Sequence, residues 1–220
     1  MEIIENIQIT DNVYLPIIKG HVGLSLSGGA DSALLLYLLL KHKKDLLTIF
    51  TLSDINEKSL PAAQTPLIIQ KCIELTGNKN VLHIVEYKDK KNEDVLFETP
   101  VNYLKENTIN VIYTGFTTNP PDHVLATFKN KISDKFYKDR HPSFIKEVVY
   151  KEFCAPFANI DKLGICKIYQ QYNLMESLFP LTRSCSWSER IKNTTIPVNN
   201  EHCKMCWTCE ERFWGFNRYK

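Results

Sequence analysis

The sequence lacks the segments that would direct it to a membrane or an export pathway. Residues 1–5 contain neither a basic region nor a long apolar run, so no signal peptide is recognisable. The leucine-rich stretch that follows Ser32 is too short to span a bilayer. We therefore expect a soluble, cytoplasmic protein.

Strong net charge is also missing. Twenty-seven Lys and Arg residues against 25 Asp and Glu residues give a formal charge of +2, which argues against a strongly electrostatic nucleic-acid binder but leaves a local patch possible. No internal repeat or low-complexity tract interrupts the chain. Its 220 residues, 44% of them hydrophobic, can form one domain with a core and a small appendage.

The seven cysteines do not follow a disulfide pattern. Their number is odd and no export signal accompanies them, which indicates free thiols and metal binding. Cys72, Cys154 and Cys166 are scattered in apolar surroundings, whereas the other four lie near the C-terminus.

The most informative stretch is residues 25–32, which read Ser-Leu-Ser-Gly-Gly-Ala-Asp-Ser. An alternating apolar run leads into it and an aliphatic run leaves it, which predicts a buried strand, a tight turn and a helix start. Two glycines, the hydroxyls of Ser27 and Ser32 and the helix N-terminus suit an anion such as phosphate. Asp31 is best explained by Mg²⁺ bridging it to a nucleotide, because Mg²⁺ prefers oxygen ligands. The alternative is an ordinary strand–turn–helix connection with Asp31 as a helix-start residue; no Walker-type Gly-Lys-Ser/Thr closes the loop.

Strand-like and helix-like segments alternate along the rest of the chain. Apolar runs predict strands at 21–27, 46–52, 81–85 and 109–113, and helices follow Ser32 and cover 61–76, 95–107 and 160–172. The fold class expected is therefore α/β, an open, mainly parallel sheet with helices on both faces. Residues up to 19 are expected to form an edge strand or arm, and residues 123–155 a lid or helical insert.

Ligands of such sheets bind beyond the carboxyl ends of the strands, which selects the loops after Ser27, Leu52 and Thr114. The third loop begins at Gly115 and reaches Asp122 after two prolines, although it is equally consistent with a surface turn. Lys162 lies in the first turn of the 160–172 helix, where a cation opposes the helix dipole. A nearby phosphate would explain it.

The C-terminal cysteines have the spacing of a metal site. Cys203, Cys206 and Cys209 are separated by two residues each, and Cys185 lies upstream. Four thiolates complete a tetrahedral zinc shell, as in structural zinc sites; an iron–sulfur cluster and coincidence are the alternatives. We expect residues 181–220 to form a zinc module packed on a domain of residues 1–180. Its aromatic tail, 212–216, is expected to pack against the module, with base stacking as the alternative.

The glycine loop resembles the PP-loop of the ATP pyrophosphatases, which split ATP into AMP and pyrophosphate and have the adenine nucleotide alpha hydrolase-like fold. The whole chain resembles the 7-cyano-7-deazaguanine synthase (QueC) family within that group. The matches are residues 27–32, Gly115 with Pro121-Asp122, Asp161-Lys162, and Thr182-Arg183-Ser184-Cys185 followed by Cys203, Cys206 and Cys209.

The resemblance implies an ATP-dependent carbon–nitrogen ligase of queuosine biosynthesis that converts 7-carboxy-7-deazaguanine to the nitrile. ATP adenylates the carboxylate, ammonia gives an amide, and a second ATP drives dehydration. It also implies a structural Zn²⁺ on the four cysteines, catalytic Mg²⁺ and a homodimer. No membrane partner is expected, nor a nucleic-acid partner. Free ammonia is the expected nitrogen donor, since no glutaminase-like region is visible.

This resemblance assigns roles to individual residues. Asp31 and Lys162 are the expected catalytic residues, holding the metal and the developing charge respectively. The expected ATP-binding residues are Ser25, Ser27, Gly28, Gly29, Ala30, Asp31, Ser32, Thr51 and Gly115. Phe116 and Asp122 are the expected substrate contacts, an aromatic face and an acceptor for a flat heterocycle.

The sequence departs from the family after the second strand. The family's Tyr-Gly-Gln element is replaced by residues 52–57, where Asp54 or Asn56 could supply a substitute contact. The loop between Cys185 and Cys203 is also longer than usual. The substrate could instead be another carboxylate, or the reaction could stop at the amide. Two other classes remain: an RNA-modifying enzyme that inserts sulfur, and a non-enzymatic nucleic-acid- or protein-binding module.

Overall fold

A six-stranded, mostly parallel sheet lies at the centre of the chain. The computed structural model describes residues 2–54, 60–88, 98–128, 134–185 and 202–220. The strands are β1 (Ile3–Thr10), β2 (Val13–Ile18), β3 (Val22–Ser25), β4 (Leu47–Asp54), β5 (Val81–Lys88), β6 (Ile112–Thr114), β7 (Val149–Tyr150) and β8 (Phe153–Cys154). The helices are α1 (Ala30–His42), α2 (Leu60–Thr76), α3 (Glu98–Lys105), α4 (Asp122–Leu125), α5 (Asp134–Asp139), α6 (Lys162–Gln171) and α7 (Trp207–Phe216), with a 3₁₀ turn at Phe179–Leu181.

The order of the strands places a switch point between β3 and β6. The sheet runs β5-β4-β3-β6-β8-β7, and only β7 is antiparallel to its neighbour. The chain leaves β3 through α1 toward β4 on one side, while β6 pairs with β3 on the other side. Open α/β sheets bind ligands in the crevice at such a point, beyond the carboxyl ends of the strands. The loops after β3 and β6 flank that crevice.

Both faces of the sheet are covered. Successive side chains of a strand point to opposite faces, and Ile49 and Phe50 of β4 accordingly join different apolar clusters. Ile49 belongs to the main core with residues of α1, α2 and α6, and Phe50 packs with Tyr103 of α3 at a ring-centre distance of 5.2 Å. The predicted α/β class, with a mostly parallel sheet flanked by helices, is confirmed.

The N-terminal segment forms a hairpin and not an edge strand of this sheet. β1 and β2 pair antiparallel as a separate two-stranded sheet, with Ile7 opposite Leu15. The Tyr113 hydroxyl of β6 donates to Pro16 O at 2.6 Å and accepts from Ile18 N at 3.2 Å. Because β2 makes its hydrogen bonds to β1, the hairpin joins the main sheet through this tyrosine and its buried side chains, so the edge-strand alternative is wrong.

The C-terminal helix packs on the body of the chain. α7 lies against α6, and Phe216 of α7 stacks on Phe179 with ring centres 4.3 Å apart. Within the described ranges, no helix combines the length and apolar character that a bilayer crossing requires.

Candidate functional site

The loop between β3 and α1 is a tight turn fastened by serine hydroxyls. Gly28 has φ +84°, a conformation that favours glycine. Ser27 Oγ lies 3.1 Å from Ser32 Oγ, and the Ser32 hydroxyl donates to Gly29 O at 3.3 Å. Gly29 is the N-cap of α1 and has no side chain to cap the helix, so the positive end of the helix dipole remains available to an anion. This geometry suits an anion such as phosphate, and residues 27–32 are called the phosphate cradle below.

Gly115 lies against this loop from the neighbouring strand. A Cβ atom at this position would lie 2.6 Å from Ser32 N and 2.9 Å from Ser32 Cα. A side chain of any size would therefore displace the first turn of α1, which explains the glycine at the end of β6. The predicted ATP-binding residues at 27–32 and Gly115 are thus brought together at the switch point.

Lys162 reaches the loop from α6. Asp161 caps that helix, its carboxylate accepting from Leu163 N at 3.0 Å and Gly164 N at 3.1 Å. The buried ammonium of Lys162, the first helical residue, forms an ion pair and hydrogen bond with Asp31 Oδ2. A lysine at this end of a helix opposes the dipole, and the Asp31 carboxylate offsets that cost. The two predicted catalytic residues are in contact although 131 positions separate them.

The second carboxylate oxygen of Asp31 is suited to a metal ion. Asp31 Oδ1 is buried and has no hydrogen-bond partner among the described residues. An unsatisfied buried acceptor is costly, and a carboxylate oxygen beside a phosphate cradle is the type of ligand that Mg²⁺ takes. The residues present therefore fit a magnesium ion held by Asp31.

The charged cluster continues into residues that the sequence patterns do not single out. Glu211 of α7 lies with Oε2 3.9 Å from Lys162 Nζ, and its Oε1 accepts a hydrogen bond from Arg140. Arg140 follows α5, in a stretch whose sequence has no clear pattern. A signal for Glu211 exists in Gly215, one helical turn further on, because a glycine inside a helix often marks a close approach and residues four apart share a face.

Ser25 and Thr51 line a separate space at the carboxyl ends of β3 and β4. This space is small, with a volume of about 10 Å³, and Glu86 of β5 and Thr99 of α3 also border it. The Thr51 hydroxyl is buried, donates to Thr65 Oγ1 at 3.2 Å and lies 2.9 Å from His83 Nε2. His83 is thus a packed, hydrogen-bonded histidine, as its place inside a strand suggests.

The predicted substrate residues lie along the loop after β6. Phe116 is half-buried, next to Gly115. Asp122 begins α4 with its side chain 62% exposed, accepts from the Tyr137 hydroxyl at 3.0 Å and lies 3.8 Å from His141 Nε2. Asp122 thus lies beside the side chains of Tyr137 and His141 at the far end of the loop after β6. Asp54 ends β4, while Asn56 lies outside the described residues.

The four predicted metal ligands converge on one point. The Sγ atoms of Cys185, Cys203, Cys206 and Cys209 all lie within 4.8 Å of one another. Cys203 Sγ accepts from Cys206 N at 3.3 Å and from Met205 N at 3.5 Å, as a thiolate in a metal knuckle would. Residues 186–201, between the first two of these cysteines, lie outside the described residues.

The close packing of these thiols raises the pKa of two of them, Cys185 and Cys209. Hydrogen bonding with Cys206 raises the pKa of Cys185 to about 11, and hydrogen bonding with Cys185 raises the pKa of Cys209 far above its usual range. A bound dication reverses this effect, because a thiol that coordinates a metal is deprotonated. The four cysteines are placed to hold a metal ion such as zinc.

The segment that leads into the cysteines touches the glycine loop. Arg183 N donates to Gly28 O at 2.8 Å, two residues before Cys185. The guanidinium of Arg212, on α7, donates to Phe179 O, to the Thr182 hydroxyl at 2.9 Å and to the Ser184 hydroxyl at 3.1 Å. The cysteine centre and the phosphate cradle are therefore parts of one packed unit.

Comparison with known proteins adds no relative to this description. Neither a scan against protein-family models nor a search of curated proteins finds a match to the chain.

Proposed function

We propose that the chain is a PP-loop ATP pyrophosphatase that activates a carboxylate by adenylation. The observation that carries this proposal is the placement of Asp31. One of its oxygens pairs with Lys162, the other is buried without a partner among the described residues, and both lie at the start of the helix that forms the phosphate cradle. A group that joins a metal ion, a lysine and a phosphate cradle is what nucleotide chemistry at this loop requires.

In the proposed reaction a carboxylate oxygen of the substrate attacks the α-phosphorus of ATP. The bond from that phosphorus to the bridging oxygen breaks, pyrophosphate leaves, and an acyl-adenylate remains. Ser27, Ser32 and the N–H groups of the loop hold the departing pyrophosphate, and Lys162 neutralises developing charge. Mg²⁺ on Asp31 would supply further charge neutralisation when bound.

The second half of the reaction forms the carbon–nitrogen bond. Ammonia attacks the acyl carbon, AMP leaves, and a proton is lost to give the amide. For a nitrile product, the amide oxygen then attacks a second ATP in the same way, and loss of AMP and two protons gives the carbon–nitrogen triple bond.

The substrate we propose is 7-carboxy-7-deazaguanine, on the resemblance of the motifs to the 7-cyano-7-deazaguanine synthase family. Phe116 offers a ring face next to Gly115, and Asp122 offers a carboxylate to ring N–H or amino hydrogens. The proposal includes a homodimer, free ammonia as nitrogen donor and a structural zinc. Another carboxylate substrate is the alternative, because the loop after β4 departs from the family pattern.

A sulfur-inserting enzyme has less support. It needs a reactive thiol beside the nucleotide, and thiolate, not thiol, is the nucleophile. Cys154 is completely buried, and burial raises its pKa to about 12; burial also raises the pKa of Cys166. A non-enzymatic binding role does not account for the ion pair of Asp31 and Lys162 beside the glycine loop.

The proposal is tested by pyrophosphate release with 7-carboxy-7-deazaguanine, ATP, Mg²⁺ and ammonium, followed by mass spectrometry of the product. Nitrile supports the full reaction, and amide alone supports a shorter one. ATP cleavage stimulated by another acid keeps the mechanism and changes the substrate. Release of ADP and phosphate would contradict the mechanism.

A pair of variants ties the activity to the loop. Asp31→Asn removes the charge that holds Lys162 and the metal, and should abolish pyrophosphate release while leaving the fold intact. Asp45→Asn is the control, because Asp45 also pairs with a lysine, Lys43 at 2.8 Å, but after the other end of α1. It should retain activity.

A further inference from the structure

Four charged side chains of alternating sign form a largely buried line beside the glycine loop. They are, in order, Asp31, Lys162, Glu211 and Arg140, and their side chains are 16%, 7%, 3% and 6% exposed. Buried charges are stable only when they are paired, and removing one partner of such a pair is strongly destabilising. In this line each charge has an opposite neighbour, and the four sum to zero.

Glu211 occupies the middle of the line because α7 passes directly over Lys162. A Cβ atom at Gly215 would lie 2.3 Å from Lys162 Cβ and 2.9 Å from Lys162 C. The helix can approach this closely only with glycine there. Glu211 lies one turn earlier on the same face, so the close approach brings its carboxylate to the lysine.

Arg140 connects the same carboxylate to the loop after β6. Its guanidinium donates to Thr117 O at 2.8 Å, to the Thr117 hydroxyl at 3.0 Å and to Thr118 O at 3.1 Å. Arg140 O in turn accepts from Asn119 N at 2.7 Å. The loop that begins at Gly115 is therefore held by a guanidinium whose charge is balanced by Glu211.

We infer that Glu211 is a positioning residue of the nucleotide site, supplied by the cysteine module. Together with Asp31 it pairs with Lys162, so the ammonium is not bound to one carboxylate alone. It also pairs with Arg140 and thereby fixes the position of the Gly115 loop relative to the phosphate cradle. The inference rests on the proposed function, because it assigns Lys162 to developing charge on phosphate. It makes the module part of the active site: Glu211 is only two residues from the metal ligand Cys209.

The first test compares steady-state pyrophosphate release by two Glu211 variants. Glu211→Gln keeps an acceptor for Arg140 but removes the charge that acts on Lys162. It should lower kcat by about 10-fold or more, with KM for ATP changed by less than about 3-fold, because misplacing a group by a fraction of an ångström affects the transition state most. Glu211→Asp retains the charge and should recover part of the rate, which a purely structural role would not predict.

The matched control is Glu176→Gln. Glu176 also pairs with an arginine, Arg218 at 2.7 Å, but its side chain is 82% exposed. The control should keep the wild-type kcat and KM. Unchanged kinetics for Glu211→Gln, or equal losses in the Gln and Asp variants of Glu211, would overturn the inference.

A second measurement decides the matter even if the wild-type chain releases no pyrophosphate, which would count against the proposed function alone. Unfolding midpoints are measured for Asp31→Asn, Glu211→Gln and the double variant. The double variant leaves Lys162 buried with neither carboxylate, so its midpoint should fall by more than the two single shifts combined. Additive shifts would show that the two carboxylates do not share the lysine and would refute the inference.

Discussion

Replacing Gly115 by alanine should damage the nucleotide site through one methyl group. The added Cβ would lie 2.6 Å from Ser32 N, whereas Cβ contacts in proteins essentially never fall below 3.0 Å and are seldom below 3.4 Å. The neighbours are backbone atoms of the first turn of α1, which cannot rotate away. Either that turn or the end of β6 must therefore move.

The size of the effect follows from the displacement. Reaching 3.0 Å requires a shift of about 0.4 Å, and reaching 3.4 Å requires about 0.8 Å. A misplacement of about 1 Å can cost about 100-fold in rate, so these shifts correspond to a fall of about 6-fold to 40-fold in pyrophosphate release. Overpacking at such a contact also costs about 1–3 kcal/mol of stability.

The assay must separate lost geometry from lost stability, and Gly77→Ala provides the comparison. Gly77 has φ +70° and open space within 4 Å of where a Cβ would lie, so alanine there incurs backbone strain of about 1–2 kcal/mol without touching the site. Both variants should lose about 2–4 °C in Tm for each kcal/mol. Only Gly115→Ala should lose activity well below its Tm. Wild-type rates in Gly115→Ala would refute the close-approach argument, and equal rate losses in both variants would attribute the loss to stability.

Two further predictions concern the cysteines. Cys206→Ser should lower bound zinc from about one per chain and lower Tm together, since a closed shell of four thiolates needs every ligand, whereas Cys166→Ser should leave the zinc content unchanged by elemental analysis. Full zinc occupancy in a variant without the four cysteines would contradict the assignment. Cys154 should resist iodoacetamide at pH 8 in the folded chain and react after denaturation, as followed by mass spectrometry, because burial raises its pKa to about 12. Rapid labelling of the folded chain would strengthen the sulfur-insertion alternative.

Local signals in the sequence account for the parts of the site that are near in the chain. The strand, glycine turn and helix start around residues 22–42 lie within one continuous pattern, and the structure has β3, the turn and α1 in that order. The spacing of Cys203, Cys206 and Cys209 likewise depends on short-range geometry, and the four cysteines meet as that spacing predicts. Lys162 stands out in the sequence because its position opposes the helix dipole. This local argument predicts a place near the anion-binding loop, and the structure has Lys162 in contact with Asp31 of that loop.

The remaining parts depend on contacts between distant segments. Arg140 and Glu211 are 71 positions apart, and no motif in the sequence joins them. Gly215 hints at a close approach on the face that carries Glu211, but a charged residue in a short amphipathic helix is normally solvated, so the packing of α7 on α6 is needed to show that Glu211 is buried. The hairpin of β1 and β2 escapes sequence reasoning for a related cause: its apolar residues suit either an edge strand or a partner strand, and the choice depends on which backbone groups they meet.

A metal ion on the four cysteines would explain how a helix as short as α7 can hold a buried carboxylate in place. Isolated helices of fewer than about 12 residues are marginal in water, and α7 has 10. Its first turn contains Cys209 and follows Cys206, so a metal ion would fix that end, and Arg212 fixes the middle through its bonds to Phe179, Thr182 and Ser184. Glu211 lies between these two attachments. Loss of the metal should therefore displace Glu211 from Lys162 and disturb the glycine loop even while the sheet stays folded. The reason is that Glu211 lies on a helix that the metal would help to hold in place.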